Sequence, residues 1–224
     1  MFHQTFNAIF ISDLHLGYKV TNKEKLFKFI KEVKTKKLFL VGDIIHRQCK
    51  IDDYELEEFI NLLNAKDCEV IFITGNHELH KKEMPNAIKN INFLNNYIYM
   101  GISKRVYIAH GHCYDTKDDF LKFLKYIDKR VQIKNKNSTI KRVIKKQLYK
   151  ILKFMAKIFL HSSFRKYMVL KAIKNRCNVV ICGHFHKKNS AKVYNTEYYN
   201  CGDWIENCSF VAENTNGNFK LLKL

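Results

Sequence analysis

The chain has one proline, Pro85, and eight glycines in 224 residues. A proline-rich linker is thereby excluded. No apolar run approaches the roughly 18 residues that a membrane-spanning helix needs. None of the seven cysteines forms a C-x-x-C pair, and several sit in apolar runs such as VVIC. They read as buried, reduced thiols of a cytosolic protein and not as a disulfide framework. The opening MFHQTFNAIFISD lacks a basic region followed by an apolar stretch, so no signal peptide is expected. Acidic residues are few, 21 against 40 Lys and Arg, which leaves a formal charge of +19. Arginine is scarce beside lysine, and arginine is the better residue for bidentate phosphate recognition. That argues against nucleic acid as the main partner.

What is present suits one folded domain with a small insertion. Hydrophobic residues make up 46% of the chain, enough for a core. The positive charge has two readings, a phosphate-bearing partner or lysines that simply solvate the surface.

Five short apolar runs recur: Ala8 to Ser12, Leu38 to Val41, Glu69 to Thr74, Arg105 to Ala109 and Asn178 to Cys182. They have buried-strand length and β-branched content. Leu26, Phe29, Ile30 and Val33 repeat at helical spacing, and so do Tyr54, Leu56, Phe59, Ile60 and Leu63. Strand alternating with helix predicts βαβ units and a largely parallel sheet. Each run ends in a polar cluster, which is where open α/β sheets bind ligands. From Ala191 onward, short strands separated by Asn-Thr and Asn-Gly turns predict antiparallel hairpins, expected to form a second sheet packed on the first.

Residues 114–176 interrupt this scheme as a basic helical insertion in a single domain spanning 1–224. Phe120, Phe123, Leu124, Ile127 and Val131 share one helical face. Leu148, Ile151, Leu152, Met155, Ile158 and Phe159 share another. From Lys117 to Arg176 there are 19 Lys or Arg against three Asp, so most of the charge excess lies here. The stretch fits a solvated cap, a surface for an anionic head with acyl chains or an anionic membrane, or a nucleic-acid contact.

The polar clusters are DLHLG, GDIIH, GNHE, HGH and GHFH. Carboxylate, amide oxygen and imidazole together suit divalent Mn²⁺, Fe²⁺ or Zn²⁺. In extended backbone, residues two apart point the same way, so Asp13 and His15 are expected to converge while Leu14 enters the core. His184 and His186 are expected to splay towards different ions, with Asp43 bridging. For each residue alone, a helix cap or a core histidine is the simpler reading. The set of five weighs against that.

In order and strand context, D-x-H, G-D, G-N-H-E, H-G-H and G-H-x-H resemble the calcineurin-like metallophosphoesterase superfamily over Ile9 to His186. The resemblance implies an α/β fold, a four-layer αββα sandwich of two mixed sheets with a helical insertion. It implies one ion held by Asp13, His15, Asp43 and His186, and a second held by Asp43, Asn76, His110 and His184. Mn²⁺ is the expected metal. His77 would contact the phosphate and protonate the leaving group, with Asn76 beside it in the catalytic set. Ions about 3.5–4 Å apart in such sites hold both attacking and leaving oxygens.

The segment Tyr198 to Val211, YYNCGDWIENCSFV, is similar to one in bacterial proteins grouped with UDP-2,3-diacylglucosamine diphosphatase, and so is an insertion between H-G-H and G-H-x-H. That implies release of UMP from a lipid A precursor. It also implies a phosphorylated, acylated substrate and a cytoplasmic location, with peripheral contact at an anionic inner-membrane surface. Asp203, Trp204 and His112 are the residues expected on the substrate side, with a structural turn and a packed indole the equal alternative for Asp203 and Trp204. His112 and His46 are alternatively partners that orient ligand imidazoles. The sequence departs from the best-known members, which carry Arg where His77 stands. His46 and Glu78 also stand where many relatives have Asp. A protein phosphatase, a cyclic-nucleotide phosphodiesterase, a dinucleotide hydrolase and a non-catalytic membrane- or nucleic-acid-binding scaffold are the alternatives.

Overall fold

A computed structural model describes residues 4–19, 21–46, 53–78, 93–114, 147 and 160–224. The chain divides into two compact units, residues 1–112 with 169–224, and residues 113–168. Most of the insertion's expected helical faces, Phe120 to Val131 and Leu148 to Phe159, lie outside the described residues.

The first half of the larger unit follows the strand–helix alternation. β1 (Thr5–Ile11), α1 (Lys23–Glu32), β2 (Lys34–Val41), α2 (Asp53–Asn64) and β3 (Glu69–Ile73) succeed one another, and a two-residue β4 (Phe93–Leu94) follows. β1, β2, β3 and β4 pair in parallel, Ile9 with Leu38 and Leu38 with Val70. Their carboxyl ends therefore share one edge of the sheet.

The second sheet differs from the expectation. β5 (Tyr97–Met100), β6 (Arg105–Ile108), β7 (Val179–Cys182), β8 (Asn189–Val193) and β9 (Thr196–Asn200) form it in the order β5-β6-β7-β9-β8. The C-terminal hairpins do not make a sheet of their own. The β8–β9 hairpin joins the second sheet through a parallel β7–β9 ladder. The hairpin of β10 (Ser209–Glu213) and β11 (Phe219–Lys223) joins the first, where β10 runs antiparallel to β1. Hairpin turns report only which strands are neighbours in sequence. Which sheet edge each hairpin extends depends on the apolar faces that it covers.

Those faces explain the packing. Strand residues alternate, yet both sides are buried, as in sheets covered twice. Ile9, Ile11, Leu38, Leu40 and Phe72 join Leu26, Phe29, Ile30, Leu56 and Phe59 of the two helices in one cluster. Ala8, Phe10, Phe39, Val41 and Ile73 meet Tyr99, Val106, Ile108, Val179 and Ile181 between the sheets. At its centre Phe10 and Phe39 stack, centroids 4.7 Å apart and planes 9° from parallel. Tyr107, Val180 and Tyr198 on the outer face of the second sheet are buried as well. So are Val169 and Ala172, in the last turns of a helix that spans residues 160–174. The architecture is an α/β sandwich of two mixed sheets. Glu213, also buried, accepts from Tyr99 Oη (2.7 Å), Asn7 Nδ2 (2.6 Å) and the Ile102 N–H (2.8 Å), and so links β10 to β5. Among the described residues no helix is long and apolar enough to cross a membrane.

Replacing Phe39 by Ala removes a stacked ring from the layer between the sheets. It should cost about 3–5 kcal/mol in urea unfolding. Met100→Ala, at a side chain 66% exposed, should stay within about 0.5 kcal/mol.

Candidate metal centre

Five strands, three parallel in the first sheet and two parallel in the second, deliver the site from their carboxyl ends. β1 leads into Asp13 and His15, β2 into Asp43, β3 into Asn76 and His77, β6 into His110, and β7 into His184 and His186. The backbone there is not extended. Asp13, His15, Asp43, His184 and His186 all have positive φ, between 47° and 74°. This corrects the expected basis for convergence in D-x-H. Leu14 does enter the core, fully buried, but left-handed turns at Asp13 and His15, not strand alternation, aim the two side chains. Left-handed non-glycine residues cost roughly 1–3 kcal/mol each and cluster where function over-determines the backbone. Glycines open the space. At Gly42 (φ +81°) a Cβ would overlap the His110 ring, and at Gly183 it would overlap Ser12 Oγ and Asp13 Oδ2.

Among the described residues donor atoms gather in three groups, two of which contain a carboxylate, Asp13 with His15 and His186, and Asp43 with His110 and His184. Within each, one ligand atom per residue lies within 4.8 Å of the others. Asp13 Oδ2 is anchored by Ser12 Oγ (2.5 Å) and the His184 N–H (3.0 Å). That leaves Oδ1 facing His186 Nε2 at 3.3 Å and His15 Nε2 at 3.9 Å. His15 Nε2 and His186 Nε2 are 3.2 Å apart. Asp43 Oδ1 accepts from the His77 backbone N–H (2.9 Å). Its Oδ2 looks at His110 Nε2 (3.3 Å), His77 Nε2 (3.8 Å) and His15 Nε2 (4.0 Å). Asn76 Oδ1 stands 3.1 Å from His184 Nδ1. Asp43 Oδ2 therefore faces His110 of its own group and, at 4.0 Å, His15 of the other.

The donor set fits divalent cations. Asp13 Oδ1 and His110 Nε2 are buried and make no hydrogen bond among the described residues. Buried polar atoms are rarely left so, and an ion is one of the standard explanations. Backs of the imidazoles are held as ligand rings usually are. His110 Nδ1 lies 2.9 Å from the Val41 carbonyl oxygen, and His186 Nδ1 is 3.6 Å from Asp203 Oδ2.

The electrostatics agree. Burial pushes the Asp13 carboxyl up, and the Asp43 charge adds to this. Burial opposes ionisation of Asp43 too, but His110, its Nε2 3.3 Å away, holds it well below the carboxylate range. Burial alone would lower His110, yet Asp13 and Asp43 raise it to about 9. Burial lowers His15 to about 3 and also lowers His77.

The substrate-side residues expected from sequence are placed differently. Trp204 is fully buried, 5.1 Å from Phe29 by ring centroid, and belongs to the core under the first sheet. An indole that packs so well has no surface left for substrate. Asp203 is buried and closes a turn, its Oδ1 accepting the N–H groups of Ile205, Glu206 and Asn207. Its other oxygen faces His186, so it supports a ligand and does not reach outward. His112 lies beside His110, ring centroids 5.7 Å apart, outside both groups.

Glu78 carries a role that the sequence left unassigned. Fully embedded, its carboxylate accepts the backbone N–H groups of Asp43 (2.9 Å), Ile44 (2.5 Å), Ile45 (3.2 Å) and Gly75 (2.7 Å). It ties the loop of Asp43 to the loop of Asn76. Burial and the neighbouring Asp43 charge push its carboxyl up to about 7. The signal was the fourth letter of G-N-H-E.

Strand ends that gather carboxylate and imidazole side chains in two adjacent groups define a candidate divalent-cation site on a sandwich fold. The family model for calcineurin-like phosphoesterase matches residues 6–188, and the chain belongs to that family. Members of it use divalent metals. Solved structures with this fold include Vps29 from Cryptosporidium parvum, with a TM-score of 0.52 and 11% identity over 99% of this chain and 98% of that one. A novel archaeal phosphodiesterase aligns with a TM-score of 0.51 and 13% identity over 97% and 99%. A zinc complex of Vps29 from Entamoeba histolytica has a TM-score of 0.50 and 11% identity over 97% of each chain. No curated protein sequence matches.

Two outcomes follow. Glu78→Ala strands buried N–H groups at about 1–3 kcal/mol each, so urea unfolding should show a loss of about 3 kcal/mol or more. Cation binding has a defined pH sign. His110 holds a proton up to about pH 9 in the cation-free protein and must lose it to ligate. Calorimetric affinity for Mn²⁺ should therefore rise with pH, about tenfold per unit for the His110 proton and more steeply at lower pH where His186, lowered by burial but raised overall by the neighbouring carboxylates, is protonated too, and level off above pH 9.

Proposed function

We propose that the chain is a two-metal phosphoesterase that hydrolyses a diphosphate bond, with UDP-2,3-diacylglucosamine or a related lipid-linked nucleotide sugar as substrate and UMP as product. One observation carries the chemistry. Among the described residues Asp13 Oδ1 and His110 Nε2 are buried without hydrogen-bond partners, beside His15, His186, Asp43 and His184, with Asn76 Oδ1 3.1 Å from His184. Asp13, His15, Asp43 and His186 would hold one cation, and Asp43, Asn76, His110 and His184 the other. Mn²⁺ is the metal proposed.

When bound, the cations supply positive charge for the phosphoryl oxygens and lower the pKa of water. The chain's own groups do the rest. Asp43, its Oδ1 pinned by the His77 N–H, keeps Oδ2 aimed at the middle of the site. His77, partly exposed while the ligand carboxylates are buried, is the side chain placed to donate to a phosphoryl oxygen and to the departing oxygen. Asp203, Asn207 and Glu78 hold the ligand loops still. Asn207 Nδ2 donates to the His186 carbonyl (2.8 Å) and to Asp203 Oδ2 (3.0 Å).

The acylated substrate is supported by the segment Tyr198 to Val211, which contributes the Asp203 and Asn207 contacts to His186, and by the lysine-rich residues 114–176. The same features support a cytoplasmic enzyme that works at an anionic membrane surface. A second reading, a phosphoesterase for a small soluble ester, is favoured by His77 standing where the best-known diacylglucosamine enzymes carry Arg.

Purified protein with Mn²⁺ should release UMP from UDP-2,3-diacylglucosamine. No release above the Asp43→Asn control would falsify that substrate, and a higher kcat/KM on a soluble diester or monoester would favour the second reading. His77→Ala should lower kcat by roughly 10²–10³ fold with the metal content unchanged. Asp43→Ala should lose metal and activity together. Two ions retained by Asp43→Ala would contradict the shared ligand.

A further inference from the structure

Three imidazoles stand at the mouth of the centre. His15, His46 and His77 each place a ring nitrogen within 4.8 Å of the others. His46 belongs to neither ligand group that contains a carboxylate. Its Nδ1 is 3.1 Å from Nδ1 of His15, the nitrogen of His15 that points away from Asp13 and His186. On one side it stacks with the partly exposed Tyr18, centroids 4.7 Å apart and planes 26° from parallel. On another it lies against His77, centroids 4.8 Å apart. The ring is itself partly exposed, and its Nε2 makes no hydrogen bond among the described residues.

The hydrogen positions then follow in sequence. A ring nitrogen that ligates a cation carries no hydrogen. With Nε2 turned to Asp13 and His186, His15 keeps its one hydrogen on Nδ1 and donates it to His46. His46 Nδ1 accepts, so the hydrogen of His46 must sit on Nε2. Cation at His15 therefore sets His46 as a donor, beside the ring that meets the phosphate.

We propose that His46 has two tasks: it seats His15 on the first cation, and it donates from Nε2 to an oxygen of the substrate phosphate next to His77. The proposal rests on the two-metal reading above. Tyr18 holds the ring in place by stacking. The ligand class is a phosphoryl group with at least one free anionic oxygen.

Amide substitutions separate the tasks. Asparagine sets an oxygen where Nδ1 was and can accept from His15. Glutamine sets its amide near Nε2 and can donate outward. Mn²⁺ affinity is read by calorimetry, and inorganic phosphate affinity by titrating the Mn²⁺-loaded protein. Thermal unfolding followed by circular dichroism confirms that each variant folds. His46→Ala should weaken the tighter Mn²⁺ step by roughly 10–100 fold, as loss of a partner behind a ligand usually does, and should weaken phosphate binding as well. His46→Asn should restore Mn²⁺ affinity and not phosphate affinity. His46→Gln at saturating Mn²⁺ should restore phosphate affinity and not the Mn²⁺ step. If all three bind Mn²⁺ and phosphate as the wild type does, the His46 assignment is overturned. If Gln and not Asn restores Mn²⁺ binding, the direction of the His15 bond is wrong. Wild-type protein that takes up no Mn²⁺ would instead overturn the metal reading itself, so the two failures are told apart.

Discussion

Two carboxylates buried together are the constraint on which the site depends. Asp13 and Asp43 have almost no exposure, and each disfavours ionisation of the other. Like charges out of water are costly unless opposite charge stands between them. The fold meets that demand with imidazoles that converge on the free carboxylate oxygens. His110, drawn to a pKa of about 9, shows the strength of the negative field. A field that holds a proton on a fully buried imidazole also draws divalent cations, and with oxygen and nitrogen ligands on both sides of Asp43 it suits a pair of them.

Holding such a cluster takes backbone that most residues avoid. Five ligand residues adopt left-handed φ at strand ends. Their strain is offset by the sandwich beneath, where Phe10, Phe39, Val106 and Ile181 are wholly buried between the sheets. The loops are then clamped individually. Glu78 gathers four backbone N–H groups from two loops, and Asp203 closes a third. These contacts convert the rigidity of the sheets into the aim of the side chains, which a mobile loop would not provide.

Much of this was legible from residues alone. The five apolar runs became strands because β-branched, doubly buried segments have few other stable forms. The helices between them followed from periodicity. Asp13, His15, Asp43, Asn76, His110, His184 and His186 could be named as candidates because each follows such a run and is a metal-binding type, and the structure brings them together. What was misread shares one cause. The placement of the C-terminal hairpins depends on which apolar surface each segment meets, and pairwise turn signals do not carry that information; for the same reason the choice between a substrate-side and a packed position for Asp203 and Trp204 stayed open until the structure showed the packed one. The left-handed backbone at Asp13 and His15 was invisible for the same reason. Local preference alone would not choose it.

By itself the sequence determined the kinds of group available and their order along the chain: seven ligand-type residues, each one step beyond an apolar strand. Only the tertiary structure decided that Asp43 Oδ2 faces both His110 and His15, that Asp203 and Glu78 act from behind the ligand-type side chains, that Trp204 is core, and that His46 backs His15. The reason is physical. A side chain's chemistry is set by its covalent structure, but its direction and its dielectric surroundings are set by residues 30 to 170 positions away that pack against it.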